Sequence, residues 1–256
     1  MQTANYQGIK VSHKNHSKID DNLIVSAPFI EQGKIAFQNE TEVALATVTK
    51  KAKIFWSYNN SEFVIYQKPI KINENGTLST YAQLKTNKSP IIETEFKAID
   101  PDVKITLQSE YSNQYNGGGN NALIDGIFGC SDFRSGAWQG YELNNFEATI
   151  DYGKIQNVDS VILRFLRDQR SWIFEPKSIS IQVSTNGVNY SSITTKTLNA
   201  AQKADKATIV KKAIKPAKNQ FRYLKINIEQ LEKIPDWHIA ANTGFTWLFI
   251  DEIVLK

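Results

Sequence analysis

Short runs in which apolar and polar residues alternate make up most of the chain, and no long segment repeats with the period of an amphipathic helix. Ile54, Trp56 and Tyr58, for example, fall on one face of a predicted half-buried strand. The dipeptide Asn186-Gly187 is typical of a tight hairpin turn between such strands. The pattern therefore predicts an all-β protein.

A polar break at residues 100–102 divides the predicted strands into two blocks. Residues 25–101 predict a small β-sandwich, and residues 102–256 predict a larger β-sandwich of the jelly-roll type. Residues 1–24 are polar, and we interpret them as a linker or as the tail of a preceding domain. The predicted architecture is thus two β-sandwich domains.

The charge of the chain is nearly balanced, with 30 basic and 26 acidic residues and a formal net charge of +4. Such a balance does not create the strongly positive field of nucleic-acid-binding proteins, so we expect no nucleic-acid partner. No run approaches the roughly 18 consecutive apolar residues of a membrane span. A single cysteine, Cys130, excludes an internal disulfide and a cysteine metal cluster.

Lysines recur between residues 203 and 218. A basic stretch of this kind suits an anionic polysaccharide or a nucleic acid as ligand. The simpler interpretation is a charged edge strand that discourages aggregation.

The sequence contains no common catalytic motif. It has neither the βα alternation of a (β/α)₈ barrel nor a Gly-x-Ser-x-Gly, His-Glu-x-x-His or phosphate-binding glycine motif. Glycoside hydrolases usually hold two carboxyl groups about 5–10 Å apart, and Asp251 and Glu252 are the most tempting pair. Because neighbours on a strand point to opposite faces, we expect their carboxyl groups to be separated. The sequence therefore argues against catalysis by this chain.

Seven short motifs in the second block carry a family resemblance. They are ALIDG at 122–126, WQGY at 138–141, ATIDYG at 148–153, FLRD at 165–168, WIFEP at 172–176, STNG at 184–187 and WLFIDEI at 247–253. In this order they resemble a discoidin-type (F5/8 type C) domain, the fold of family 32 carbohydrate-binding modules. The resemblance is greatest to the version appended to exported glycoside hydrolases such as family 20 β-N-acetylhexosaminidases.

The first block resembles the small sandwich at the C-terminus of chitobiases and hexosaminidases. The matching pieces are VAL at 43–45, AKI at 52–54, PI at 69–70 and TL at 77–78. The block departs from that family at residues 57–61, where SYNNS replaces a Thr-x-Asp-Gly turn. The resemblance implies a spacer that packs between catalytic and binding modules.

Both faces of the last strand look apolar, so at least one of the carboxylates of Asp251 and Glu252 is expected to be desolvated. A buried carboxylate needs a cation, a set of hydrogen bonds or a metal. In discoidin-type modules an acidic residue near the C-terminus and a loop around an Asp-Gly hold a structural calcium ion. The resemblance therefore implies Ca²⁺ bound by Asp125 and Glu252, with oxygen-only ligation. Alternatively, Glu252 pairs with an arginine and Asp125 serves a turn.

The resemblance also implies a glycan site in loops at one end of the second sandwich, built from an aromatic platform and polar side chains. A planar guanidinium or carboxylate forms charge-assisted bonds with two vicinal hydroxyls. For Trp172, packing beneath its loop is the alternative, and Trp138 and Trp247 are expected in the core. The candidate carbohydrate-binding residues are Arg167, Asp168, Arg170, Trp172, Trp237 and His238.

The function that these expectations imply is that of a non-catalytic carbohydrate-binding accessory region of a glycoside hydrolase. Its partners would be a glycan and the catalytic domain of the parent enzyme. The alternative is a structural module that packs against that catalytic domain without binding sugar. Residues 1–10 contain no apolar signal segment, and because the resembled enzymes are exported, we expect an excised piece of an exported protein.

Overall fold

The computed structural model describes residues 24–199, 202–242 and 244–256, so the predicted linker at 1–24 lies almost wholly outside the described residues. Strands dominate the described part of the chain, and its helical content consists of 3₁₀ turns at Ala122–Ile124, Phe133–Ser135 and Gln169–Ser171. No helix in this part is long and apolar enough to cross a membrane. The prediction of an all-β fold is confirmed.

The strands of the N-terminal part are β1 (Phe29–Gln32), β2 (Ala36–Phe37), β3 (Thr41–Ala46), β4 (Lys53–Tyr58), β5 (Val64–Ile65), β6 (Ile70–Ile72), β7 (Gly76–Leu84), β8 (Asn87–Lys88) and β9 (Ile92–Ala98). One sheet has the order β1-β3-β6, and a second has the order β2-β9-β7-β4-β5 with β8 paired to β7. Val43 and Leu45 of β3 are buried and alternate with more exposed neighbours, as the period of two predicts.

The strands of the C-terminal part are β10 (Lys104–Leu107), β11 (Gln139–Glu142), β12 (Phe146–Asn157), β13 (Val161–Arg167), β14 (Ser178–Ser184), β15 (Thr194–Thr197), β16 (Thr208–Ile214), β17 (Gln220–Glu229) and β18 (Trp247–Leu255). They form two antiparallel sheets with the orders β10-β12-β17-β14-β15 and β11-β18-β13-β16. The result is a discoidin-type β-sandwich.

Apolar side chains of both sheets fill one core in this sandwich. Phe146 and Ile150 of β12 and Leu224 of β17 meet Leu163 of β13 and Ile250 of β18, and each is fully buried. Burial of one such side chain stabilises the fold by about 1.5–3 kcal/mol. The core therefore fixes the strands whose ends carry the candidate sites.

The register of the strands brings four connecting segments to one end of the sandwich. Leu166 near the end of β13 lies opposite Phe249 near the start of β18, and Phe146 at the start of β12 lies opposite Ile228 near the end of β17. Thr197 at the end of β15 likewise lies opposite Ser178, and Thr208 at the start of β16 lies opposite Arg167. The segments that join β11 to β12, β13 to β14, β15 to β16 and β17 to β18 therefore share one end, which we call the loop end.

The chain divides into two compact units whose segments are not contiguous in sequence. One unit comprises the described residues up to 32 together with 44–69 and 77–94, and the other comprises residues 33–43, 70–76 and 95–256. The domain boundaries at residues 24/25 and 101/102 stay a prediction. Every residue of the candidate sites belongs to the second unit.

Candidate functional site

Asp125 and two adjacent residues of β18, Asp251 and Glu252, form a buried acidic cluster. These residues are 8%, 0% and 5% exposed. The segment 125–129 covers β18, where the N–H of Gly126 donates to Glu252 Oε2 at 3.1 Å and the N–H of Gly129 donates to Asp251 Oδ2 at 2.7 Å. Both carboxylates of β18 thus reach the same segment.

This arrangement corrects the expectation that Asp251 and Glu252 point to opposite faces. On β13, Arg164 lies opposite Glu252 and Phe165 lies opposite Ile250, so Asp251 is an extra residue in β18. Such a β-bulge breaks the alternation of side chains and turns two neighbours toward one side. The alternation in the sequence cannot reveal an extra residue of this kind.

Arg164 neutralises one of the three acids. Its Nε and Nη2 atoms donate to the two carboxylate oxygens of Asp251 at 3.1 and 2.9 Å, and Nη2 also donates to the carbonyl of Gly129 at 3.2 Å. The ring of Phe128 lies over the guanidinium, 4.4 Å from its Cζ. The arginine therefore pairs with Asp251 and not with Glu252. A lone Arg164 inside the apolar run of β13 was the sequence signal for a buried ion pair.

Burial disfavours the ionised form of the other two acids. Burial and, to a smaller extent, the nearby Asp251 raise the pKa of Asp125 to about 7. The hydrogen bond that Asp125 accepts from the Ile127 N–H partly opposes this rise. Burial and the nearby Asp125 raise the pKa of Glu252 to about 9. Burial also raises the pKa of Asp251 despite Arg164. A cluster in this state favours either protons or a cation.

The donor set of the cluster fits a hard cation such as Ca²⁺. Asp125 Oδ1 accepts a hydrogen bond from the Ile127 N–H at 2.8 Å. Asp125 therefore serves a turn, as the alternative interpretation expected, while its Oδ2 is left to coordinate a cation. Among the described residues no group of three His, Cys, Asp or Glu side chains is arranged to hold a metal. An ion bound by Asp125 and Glu252 would therefore need backbone carbonyls or water as its remaining ligands, which calcium accepts readily.

A second group of candidate residues forms an aromatic cluster at the loop end. The Phe174 ring lies edge-on to Trp237 and His238, with centroids 6.4 and 5.9 Å away, and the rings of Trp237 and His238 are 5.8 Å apart. Phe174 is 1% exposed, whereas Trp237 is 40% exposed. A buried ring thus supports a tryptophan that presents part of its surface to solvent.

His238 ties two connecting segments together. Its Nδ1 accepts the Ala240 N–H at 3.1 Å, so the ring proton lies on Nε2, which donates to the backbone carbonyl of Gln169 at 2.9 Å. Both ring nitrogens are therefore satisfied by backbone groups. His238 positions Trp237 beside the turn at Gln169–Ser171.

The predicted residues of the turn after β13 have different environments. Asp168 is buried and accepts the Ser171 hydroxyl at 2.8 Å, whereas Arg170 is exposed. Trp172 has a left-handed backbone with φ 64° and packs partly buried against the cluster of Phe174 and Ile234. Trp172 therefore packs beneath its loop, which was the alternative to contact with a ligand.

Arg167 lies apart from the aromatic cluster. Its Nη1 donates to Glu175 Oε1 at 2.9 Å, and it lines a cleft to which none of the other five predicted sugar-binding residues contributes. The structure therefore groups Trp237, His238 and the Asp168–Trp172 turn at the loop end but assigns Arg167 to a neighbouring cleft, which Gln169 also lines.

The tryptophans expected in the core differ in burial. Trp138 is 1% exposed, and its Nε1 donates to the carbonyl of Cys130 at 3.0 Å. Trp247 is only partly buried, with its ring 5.5 Å from that of Tyr115. The prediction is confirmed in full for Trp138 and in part for Trp247.

The family model of the F5/8 type C domain matches residues 104–245. No curated protein matches this chain at a significant level. Among solved structures, the C-terminal domain of a chitobiase from Bacteroides fragilis is 20% identical, with a TM-score of 0.40, and the match covers 62% of this chain and 96% of that domain. The module CpGH89CBM32-5 from Clostridium perfringens, in complex with GalNAc-β-1,3-galactose, is 15% identical, with a TM-score of 0.39 and coverages of 60% and 94%.

Proposed function

The chain belongs to the F5/8 type C domain family, and from this premise we propose that it is a non-catalytic carbohydrate-binding accessory region of an exported glycoside hydrolase. It holds a glycan at the loop end of the β10–β18 sandwich. The observation that carries this proposal is the position of Trp237, which is 40% exposed and packs edge-on against the buried ring of Phe174. A large aromatic side chain held at the surface in this way is a ready platform for a pyranose ring.

Recognition at this site divides between stacking and hydrogen bonding. The flat indole of Trp237 packs against the apolar face of a sugar, while its orientation is set in advance by Phe174 and His238. Arg170 is exposed on the turn whose Gln169 carbonyl holds His238. Its planar guanidinium donates to vicinal hydroxyls. Asp168 and Trp172 act as positioning residues for this turn.

We assign the acidic cluster a role in stabilising the same sandwich. Asp125 and Glu252 would hold a calcium ion together with backbone carbonyls, and the ion would supply the positive charge that their buried oxygens lack. Gly126 and Gly129 fix the segment over β18 through their N–H groups. The role of the cluster is structural.

Calorimetric titration of the purified chain against a panel of neutral oligosaccharides, after a glycan-array screen, tests the proposal. We expect dissociation constants in the high micromolar to millimolar range, since few contacts offset the loss of sugar hydration. Trp237→Ala should abolish binding, whereas the matched control Ile239→Ala, at a neighbouring and fully exposed position, should leave it unchanged. Equal affinity of both variants and the unaltered chain would exclude Trp237 as the platform.

A second function competes with the first because Ile239 and Phe245 are exposed apolar residues on the same segment. In this alternative the loop end packs on the catalytic domain of the parent enzyme and binds no sugar. Mixing this chain with that catalytic domain distinguishes the two. Increased activity on a small chromogenic glycoside that is lost in Ile239→Ala and Phe245→Ala favours docking.

A further inference from the structure

We propose that the C-terminal sandwich carries a second binding site, selective for the carboxylate of an acidic oligosaccharide, in a cleft between strands β15 and β16. We call it the edge cleft, and it is lined chiefly by Arg167, Glu175, Lys196, Lys211 and Lys212, with a volume of about 530 Å³. Preference for an anion follows from these residues alone. The choice of a glycan as occupant rests on the proposed function.

The edge cleft lies where the two sheets approach each other along one side. β15 is the last strand of the five-stranded sheet and β16 is the last strand of the four-stranded sheet. Lys196 Nζ on β15 donates to the carbonyl of Ala213 on β16 at 2.8 Å, which joins the two edges. The segment after β13 contributes Arg167 and Glu175.

Positive charge in the cleft exceeds negative charge. Glu175 is bound by two cations, Arg167 Nη1 at 2.9 Å and Lys212 Nζ at 2.5 Å. Lys196 uses its ammonium on a neutral carbonyl, whereas Lys211 lies opposite Arg164, so its side chain leaves the other face of β16 from that of Lys212. Three cations, Arg167, Lys196 and Lys212, thus line a concave surface that holds one carboxylate, and such a surface concentrates the electric field on an incoming anion.

An unpaired hydrogen-bond donor of Arg167 also favours an anionic ligand. Arg167 Nε is buried and has no hydrogen-bond partner within the described residues, although its Nη1 binds Glu175. Buried donors are nearly always paired. A ligand carboxylate in the cleft would accept from the free side of this guanidinium in the forked geometry that arginine favours.

The remaining walls favour a sugar acid over a nucleic acid. Thr197 and Asn199 offer a neutral hydroxyl and a neutral amide beside the cations, and no aromatic side chain contributes among the described residues that line the cleft. Binding of single-stranded nucleic acid relies on aromatic stacking platforms. Hydroxyl-rich ligands with a carboxylate match this lining better.

Protection of an exposed strand edge accounts for only part of the arrangement. Edge lysines discourage aggregation, and this is sufficient for Lys211, which is exposed. It does not account for Arg167, Lys212 and Glu175, whose side chains are only 29%, 21% and 21% exposed and are organised around one another. A built site accounts for these three residues.

Isothermal titration at low salt with a hexamer of mannuronic acid and with its methyl ester tests the proposal, since the two differ only in charge. We expect the acid to bind and the ester to bind at least about tenfold more weakly, as expected for the loss of charge-assisted hydrogen bonds. Lys196→Gln should weaken binding of the acid several-fold, whereas Lys211→Gln, on the other face of β16, should not. Arg167→Lys, which keeps the charge and the pair with Glu175, should also weaken it because the fork is lost.

Matched controls separate the site from diffuse charge and from the proposed function. Lys218→Gln removes a charge outside the cleft and should leave the affinity unchanged, and Trp237→Ala should do the same. Equal binding of acid and ester, an equal loss in Lys218→Gln, or equally tight binding of a thymidine oligonucleotide with the same dependence on Lys196 would each overturn the proposal. If the acid binds normally while neutral sugars fail, only the proposed function falls.

Discussion

The guanidinium of Arg164 binds the carboxylate of Asp251 from the neighbouring strand, with side chains that are 10% and 0% exposed. The pair occupies a β-bulge, and Gly129 contacts both partners through its N–H and its carbonyl. Buried pairs of this kind are costly to break on one side because the remaining charge is left without compensation. The segment 125–129 therefore depends on the pair for its position over β18.

Arg164→Met should destabilise the protein strongly. Removal of one partner of a buried ion pair costs about 3–5 kcal/mol, and urea unfolding followed by tryptophan fluorescence measures it. The double variant Arg164→Met/Asp251→Asn should recover part of the loss, since no buried charge stays unpaired. A single variant as stable as the unaltered chain would contradict the structural role of the pair.

Calcium should stabilise the chain through Asp125 and Glu252. At a free concentration of 100 times the dissociation constant, binding to the folded state adds about 2.7 kcal/mol. EGTA should therefore lower the Tm, and Glu252→Gln should abolish the response while it keeps an acceptor for the Gly126 N–H.

Asp132→Asn is the matched control, because this residue is an exposed acid three residues beyond the segment 125–129. It should retain the full response to calcium. A Tm that is insensitive to both EGTA and calcium would remove calcium from the proposed function.

Acid should weaken the link between β12 and β17 that Asp151 forms with Arg222, whose Nε and Nη2 donate at 2.6 and 2.8 Å. Its hydrogen bonds to Arg222 hold the pKa of Asp151 below the ordinary value. The ionised carboxylate therefore stabilises the fold above a pH of about 3.9, its value in an unfolded chain, and this contribution disappears as the pH falls through the folded-state pKa. Since both side chains are partly exposed, the effect is modest.

Arg222→Met provides the measurement. The difference in unfolding free energy between this variant and the unaltered chain should be larger at pH 6 than at pH 2.5. Lys218→Met, which removes a charge from an exposed position without an ion pair in the described structure, should show no such pH dependence. A constant difference for Arg222→Met would rule out the linkage.

His238→Phe should loosen the segment that carries Trp237 while it retains an aromatic ring beside Phe174. The variant loses the bonds to the Ala240 N–H and to the Gln169 carbonyl. Hydrogen exchange at Ala240 should accelerate at least about tenfold, as expected when a hydrogen bond in a low-stability segment is removed, and amides of β17 should not change. Unaltered exchange at Ala240 would mean that other contacts hold the segment.

Strand alternation and short motifs predicted the β-sandwich because each strand of the sandwich buries one face in a shared core. Asp125 and Glu252 were identified as a pair because the resemblance supplied a reason to join residues 127 positions apart. The bulge at Asp251 was not predicted, since one inserted residue is visible only when the partner strand is known. Alternation alone led to the wrong expectation that the two acids face apart.

Long-range contacts limited the prediction of the sugar site. Trp237 was singled out because it falls outside any apolar alternation, which favours exposure, but the contact with Phe174 joins two segments whose proximity follows from strand register. Arg167 was grouped with Asp168 because they are neighbours in sequence. Consecutive positions at the end of a strand point in different directions, and the structure directs Arg167 to the edge cleft.

Cys130 is the sole cysteine of the chain, is exposed, and directly follows the glycine that bonds Asp251. A thiol-reactive fluorophore can therefore be attached at one defined point beside the segment 125–129 without any engineered residue. Its emission would respond to ordering of that segment, and so would give an optical titration of the acidic cluster that is independent of the sugar ligand.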